Sequence, residues 1–204
     1  RNLDGFFQQW VHAPGHPKLS VTTSWANGLL EVKVEQQQSG KDVPEIYQLP
    51  LDIKVITETD EQHVTLRVAE RVRAWVIPCT TEPKQVEVDA GFRILSEITV
   101  SGPRPWLVAS LKHDSSVVGR IRAARALAKE GSPKAVEALI TALADEDFWG
   151  VRLQLADILA DIGTATVRTA LLDCIDDAHP KARRGIVAAI AKLPRHPDIT
   201  AALT

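Results

Sequence analysis

The sequence has no methionine, one tyrosine and two cysteines in 204 residues. Cys79 and Cys174 lie 95 positions apart, in stretches that read as separate domains. Two isolated thiols build neither a zinc cluster nor a disulfide framework, so both are expected as small buried hydrophobes. Excess charge is also lacking. With 24 basic and 26 acidic side chains the net charge is −2, which leaves no electrostatic case for nucleic acid or an anionic membrane. No apolar run approaches the roughly 20 residues that span a bilayer, and no signal-peptide pattern opens the chain. None of the six histidines is followed by glutamate: they precede Ala13, Pro17, Val64, Asp114, Pro180 and Pro197. A His-Glu-x-x-His zinc helix is therefore excluded, and neither a Gly-x-Ser-x-Gly elbow nor a phosphate-binding Gly-x-x-x-x-Gly-Lys loop occurs.

What is present falls into two textures. Up to about Gly102 apolar residues alternate with polar ones, as in Leu19, Val21 and Thr23, then Leu30, Val32 and Val34. This period of two makes one face of a strand oily and the other wet. Asn27-Gly28 between these runs predicts a tight hairpin, because both positions accept positive φ. Further strands are expected over Tyr47 to Thr57, His63 to Ala69, Val72 to Ile77, Gln85 to Val88 and Ile94 to Val100. Pro44, Pro50, Pro78 and Pro83 fall at strand ends or edges. Seven short strands with turn signals between them predict a β-sandwich.

After Gly102-Pro103 apolar residues recur at helical spacing: Val117, Ile121, Ala124 and Ala128, then Val136, Leu139, Ile140 and Leu143, then Val151, Leu155, Ile158, Leu159 and Ile162. The pattern repeats. Arg120, Arg152 and Arg183 are 32 and 31 residues apart, and each precedes an aliphatic (Leu127, Leu159, Ile190) by seven. Helix-stop residues Gly131, Gly163 and Pro194 follow at matching positions. Asp114-Ser115-Ser116, Asp145-Glu146-Asp147 and Asp176-Asp177 precede the arginines and are expected to cap the coming helices, while Ser132-Pro133 caps another. A period near 31 residues built from helix pairs means an α-solenoid.

Few residues are candidates for chemistry. His12 and His16 are the one pair at a ligand spacing, but they flank a Pro-Gly turn with no third ligand evident, and metal sites need three or four convergent ligands. His113-Asp114-Ser115 are consecutive, so their side chains do not face one another as a triad requires. Arg120, Arg122, Arg125, Arg152, Arg183 and Arg184 could line a groove for a carboxylate or phosphate. The favoured alternative is a ladder with Asp114, Asp145, Asp147, Asp176 and Asp177 that fixes repeat stacking. Trp10, Trp25, Trp75, Trp106 and Trp149 are scattered, with Trp106 at the domain junction. Tyr47 and Gln36-Gln37-Gln38 receive no role.

The run Leu3-Asp4-Gly5-Phe6-Phe7-Gln8-Gln9-Trp10 followed by Pro14-Gly15-His16-Pro17-Lys18-Leu19 resembles the join in M1-family zinc aminopeptidases, where the last helix of the catalytic domain feeds a β-sandwich. The helical half resembles short bacterial HEAT repeats. The resemblance implies a residual catalytic-domain helix end and linker at 1–17, an all-β sandwich at 18–101 and an all-α HEAT-like superhelix at 102–204. It implies a non-catalytic C-terminal portion that supports the catalytic domain and walls the substrate cavity. The family's Gly-x-Met-Glu-Asn motif cannot occur without methionine. Hence no catalytic, cofactor or metal residue is expected in this chain, and zinc is expected in the catalytic domain. The implied partners are that upstream domain and, in the full-length protein only, a peptide substrate. Phe6, Phe7 and Trp10 are expected to pack on the catalytic domain. The opening Arg1 and the lack of any methionine fit a fragment, which leaves cell location open. Two other readings stand beside this one: a catalytically dead M1-like or HEAT-repeat binding scaffold, and a self-contained hydrolase using His12 and His16.

Overall fold

A computed structural model describes residues 3–202. Arg1, Asn2, Leu203 and Thr204, the outer ends of the expected segments 1–17 and 102–204, lie outside the described residues. The chain divides into two compact units, Arg1–Ser110 and Leu111–Thr204.

The first unit opens with a short helix, α1 (Asp4–Phe7), that runs on into a π-helical turn, Gln8–His12. Seven strands follow: β1 (Lys18–Ala26), β2 (Leu29–Gln36), β3 (Leu49–Ile56), β4 (Glu61–Val68), β5 (Val72–Pro78), β6 (Gln85–Val88) and β7 (Glu97–Ser101). They form two sheets, ordered β5-β2-β1-β7 and β4-β3-β6. The β1–β2 turn is the expected hairpin: Asn27 and Gly28 take φ of 53° and 77°, which matches the twist of the flanking strands. Strand β7 joins β1 in parallel, whereas β2 runs antiparallel to it. Pro50 lies within β3, but β6 pairs β3 only from Ile53 onward, so the missing N–H costs no bond on that side.

Alternation decides the core. Leu19 and Val21 from β1, Leu30, Val32 and Val34 from β2, and Leu51, Ile53 and Val55 from β3 turn inward into one buried cluster, with Trp106 only 4% exposed among them. The inner faces of both sheets thus share one sandwich core.

Helix α2 (Arg104–His113) spans the division between the units, with Trp106 in the sandwich core. The second unit continues with α3 (Val117–Glu130), α4 (Pro133–Asp145), α5 (Trp149–Ile162), α6 (Ala165–Asp173), α7 (Pro180–Lys192) and α8 (Pro197–Ala202). Gly131 and Gly163 end α3 and α5 in the left-handed region, at φ of 68° and 66°, as C-terminal stop residues do. Ser116, Ser132 and Thr164 each accept a backbone N–H from three residues on, which supplies an unpaired donor of the first turn. The architecture is a β-sandwich followed by a HEAT-like helical region.

Candidate functional site

The sequence points first to the segment before β1. Gln9 clamps it to the sandwich. Its Nε2 donates to Gln48 O at 3.0 Å, and Gln48 N donates to its Oε1 at 2.7 Å. Trp10 lies against Tyr47, with ring centroids 5.5 Å apart, and packs partly buried on the core. Tyr47 in turn donates its hydroxyl to Pro14 O at 3.4 Å. Trp10 is therefore not a residue left over for another domain. It belongs to the sandwich, because Tyr47 and the Gln9–Gln48 pair give this face its partners within the same unit. The other side differs. Leu3, Phe6, Phe7 and Val11 are exposed, and Phe6 and Phe7 meet edge to face at 5.7 Å. They form a compact apolar surface of the kind that marks contact sites.

His12 and His16 do not converge with further ligands. His16 Nε2 lies 2.9 Å from Glu97 Oε1, and Lys18 Nζ lies 3.2 Å from Glu97 Oε2. The hydrogen bonds from His16 and Lys18 hold the Glu97 carboxyl below its ordinary range. Among the described residues no group of three or more His, Cys, Asp or Glu is placed to hold a metal ion. Neither thiol is poised for reaction. Burial pushes the Cys79 thiol up. Burial, then Asp173 and Asp177, do the same at Cys174. Cys174 is half-buried rather than buried, since it sits at the open end of α6 beside these carboxylates.

The residues left without a role, Gln36, Gln38 and Tyr47, form the most connected polar cluster in the sandwich. Gln36 Nε2 donates to Tyr47 O and Glu70 O, and its Oε1 accepts from Tyr47 N at 2.8 Å and from Gln38 Nε2 at 3.0 Å. Gln38 Nε2 also reaches Glu45 O at 2.8 Å, and its Oε1 accepts from Lys18 N. All three residues are buried. The signal was present in the alternation, because Val32 and Val34 point inward and the same period carries on to Gln36 and Gln38.

The arginines form the expected ladder with a change of partner. Arg120 Nε and Nη2 donate to Glu146 Oε2 and Oε1 at 2.9 and 3.2 Å. Glu146, not Asp145 or Asp147, takes this rung. Arg152 Nη2 donates to Asp177 Oδ1 at 3.0 Å. The acidic clusters do not cap the helices as expected, except through Ser116. Instead one acid in each stands two residues before the cap and accepts the cap residue's N–H: Asp114 from Ser116, Glu146 from Phe148, Asp177 from His179. The arginine six positions on donates back to that acid's own carbonyl, in Arg120 to Asp114, Arg152 to Glu146 and Arg183 to Asp177. A longer Glu at 146 reaches both its own loop and the preceding repeat. Arg125 departs from the ladder and donates to Gln154.

Two open cavities complete the inventory. A cleft of about 270 Å³ at one end of the sandwich is lined by Thr57, Thr59, Asp60, Gln62, Cys79 and Thr81 among others. A trough of about 420 Å³ runs between α5 and α7, with Trp149, Leu153, Asp157, Lys181, Arg184 and Gly185 along it. Here the Trp149 ring stacks on His179 at 5.3 Å and carries Lys181 Nζ 4.7 Å from its centroid. No described helix is long and apolar enough to cross a membrane.

Comparison with known proteins agrees with this anatomy. The family model described as HEAT repeats matches residues 104–203. A comparison with curated proteins finds no match. Among solved structures, Legionella pneumophila aminopeptidase A in complex with aspartic acid is similar at a TM-score of 0.55 and 13% identity, over 92% of this chain and 28% of that one. At that identity the likeness is one of fold, and the chain spans little more than a quarter of the aminopeptidase.

Proposed function

We propose that this chain is the non-catalytic C-terminal portion of an M1-family metallo-aminopeptidase. In that protein it supports the zinc-bearing catalytic domain, contacts it through the Phe6–Phe7 surface and walls the cavity that peptides enter. The observation that carries this reading is the fold likeness to an aminopeptidase through both the sheets and the helices in order, over 92% of the chain. The apolar surface of Leu3, Phe6, Phe7 and Val11 beside the docked Trp10 supports a domain contact there. Peptide entry, zinc and the parent's activity belong to this proposal. A HEAT-repeat binding scaffold is the second reading, favoured by the match of the helical half to a repeat type that often serves binding.

The test compares the full-length polypeptide with this 204-residue chain. Bound zinc and hydrolysis of aminoacyl-anilides are expected in the former, with neither in the latter. Turnover by this chain that survives repurification overturns the proposal. So does a full-length polypeptide without a His-Glu-x-x-His sequence, which favours the scaffold.

A further inference from the structure

The three repeats of the helical unit can be compared position by position, and the third differs from the first two on one face. On α3 the face toward α5 carries Arg120, Ile121, Ala124 and Ala128. The matching residues on α5, facing α7, are Arg152, Leu153, Ala156 and Ala160, and those on α7 are Arg183, Arg184, Val187 and Ala191. Ala124 and Ala156 are wholly buried, whereas Val187 is half-buried and Ala191 exposed. The arginines follow the same trend. The side chains of Arg120 and Arg152 are 15% and 18% exposed in their carboxylate pairs. Arg183 is exposed, with its Nη1 on the carbonyl of Asp177 in its own loop at 2.7 Å. Half of the rung is therefore built, and the half that faces onward offers a guanidinium.

We propose that this face of α7 is a docking surface for a further helix pair of the same repeat type, whose leading loop places an Asp or Glu two residues ahead of its helix cap. That carboxylate pairs with Arg183 as Glu146 pairs with Arg120 and Asp177 with Arg152, and the incoming helix covers Val187 and Ala191. The occupant follows from the interface already repeated twice in this unit. Its charge is set by Arg183 and Arg184, two adjacent cations where the earlier repeats have one cation and an aliphatic. A guanidinium beside a partly buried carboxylate gives directional, paired hydrogen bonds, and nearest-neighbour interfaces supply much of a solenoid's stability. A second copy of this chain does not fit. Stacked head to tail it would have to offer Asp114, which is 5% exposed and already covered. Joined α7 to α7 it would oppose two pairs of arginines.

The test extends the whole chain after Thr204 with a copy of its own residues 173–202, which sets the copied Asp177 at the ladder spacing from Arg183. The extension is expected to raise the thermal midpoint by at least about 5 °C and to slow amide exchange across α7. Arg183→Ala in the extended chain, or Asn in place of the copied aspartate, is expected to remove most of that gain. The same Arg183→Ala in the unextended chain is expected to shift the midpoint far less. An extension that adds no stability, or a gain that survives both substitutions, overturns the proposal.

Discussion

The carboxylate of Asp114 occupies the place where a side chain on Gly119 would begin: an ideal Cβ there would meet Asp114 Oδ2 at 2.0 Å. Asp114 lies in the loop ahead of α3, and Gly119 is in its first turn. The missing side chain lets the loop's acid fold over the helix and accept the N–H of Ser116 at 2.8 Å. A break in the repeat pattern, glycine where a Val-Arg step is usual, thus has a steric cause.

Gly119→Ala is accordingly expected to destabilise the helical unit. Alanine normally favours a helix over glycine by about 1 kcal/mol. Here that gain is outweighed by moving a buried carboxylate, with an overpacking cost of roughly 1–3 kcal/mol. Gly5→Ala, with nothing within 4 Å of its would-be Cβ, is expected to be neutral or slightly stabilising. Urea denaturation of both variants measures the contrast.

Arg152→Ala removes one rung of the ladder. It leaves the Asp177 carboxylate, 10% exposed, without its cation and frees the Glu146 carbonyl that Arg152 also holds. Breaking a buried pair from one side costs about 3–5 kcal/mol when fully desolvated, and the residual exposure here brings the expected loss to about 2–3 kcal/mol. Lys129→Ala, an exposed change near the end of α3, is expected to stay within about 0.5 kcal/mol. Equal thermal midpoints for the two variants would count against the ladder.

Much of this fold was legible in the chain because alternation and helical spacing are local signals. Asn27-Gly28, Gly131 and Gly163 fixed turns and stops through backbone sterics alone. What the sequence hid was pairing. Nothing local says that Glu146 rather than Asp147 meets Arg120, since that choice depends on which side chain in a three-acid loop points back along the stack. Trp10 was misjudged for a similar reason: its partner Tyr47 is 37 positions away and carried no pattern of its own. The candidate site was least legible, because an exposed Phe6–Phe7 surface and a half-built rung at Arg183 are properties of neighbours in space.

Gln36→Met tests the buried glutamine cluster. Methionine has a similar length but leaves Tyr47 N, Tyr47 O and Gln38 Nε2 short of a partner inside the sandwich. Each buried polar group left unpaired costs about 1–3 kcal/mol, so a loss of about 3 kcal/mol is expected, after some relaxation. Gln37→Met, at the intervening exposed position, is expected to cost little. Chemical denaturation of the pair separates a polar core requirement from a simple preference for glutamine in this stretch.

Glu97 ties stability to pH at the base of β7. Its hydrogen bonds to His16 and Lys18 lower its folded pKa below the unfolded value, which for glutamate is about 4.3. A depressed carboxyl contributes fully above the unfolded pKa, and the contribution fades as pH falls through the folded one. Glu97→Gln is therefore expected to lower the thermal midpoint slightly at neutral pH, with the gap to the parent closing in acid. Because the pair is exposed, added salt narrows the gap as well. Carbon-detected NMR titration supplies the direct check: with both His16 and Lys18 replaced by alanine, the Glu97 carboxyl is expected to titrate higher than in the parent. An unchanged titration would mean that the two contacts do not set its charge.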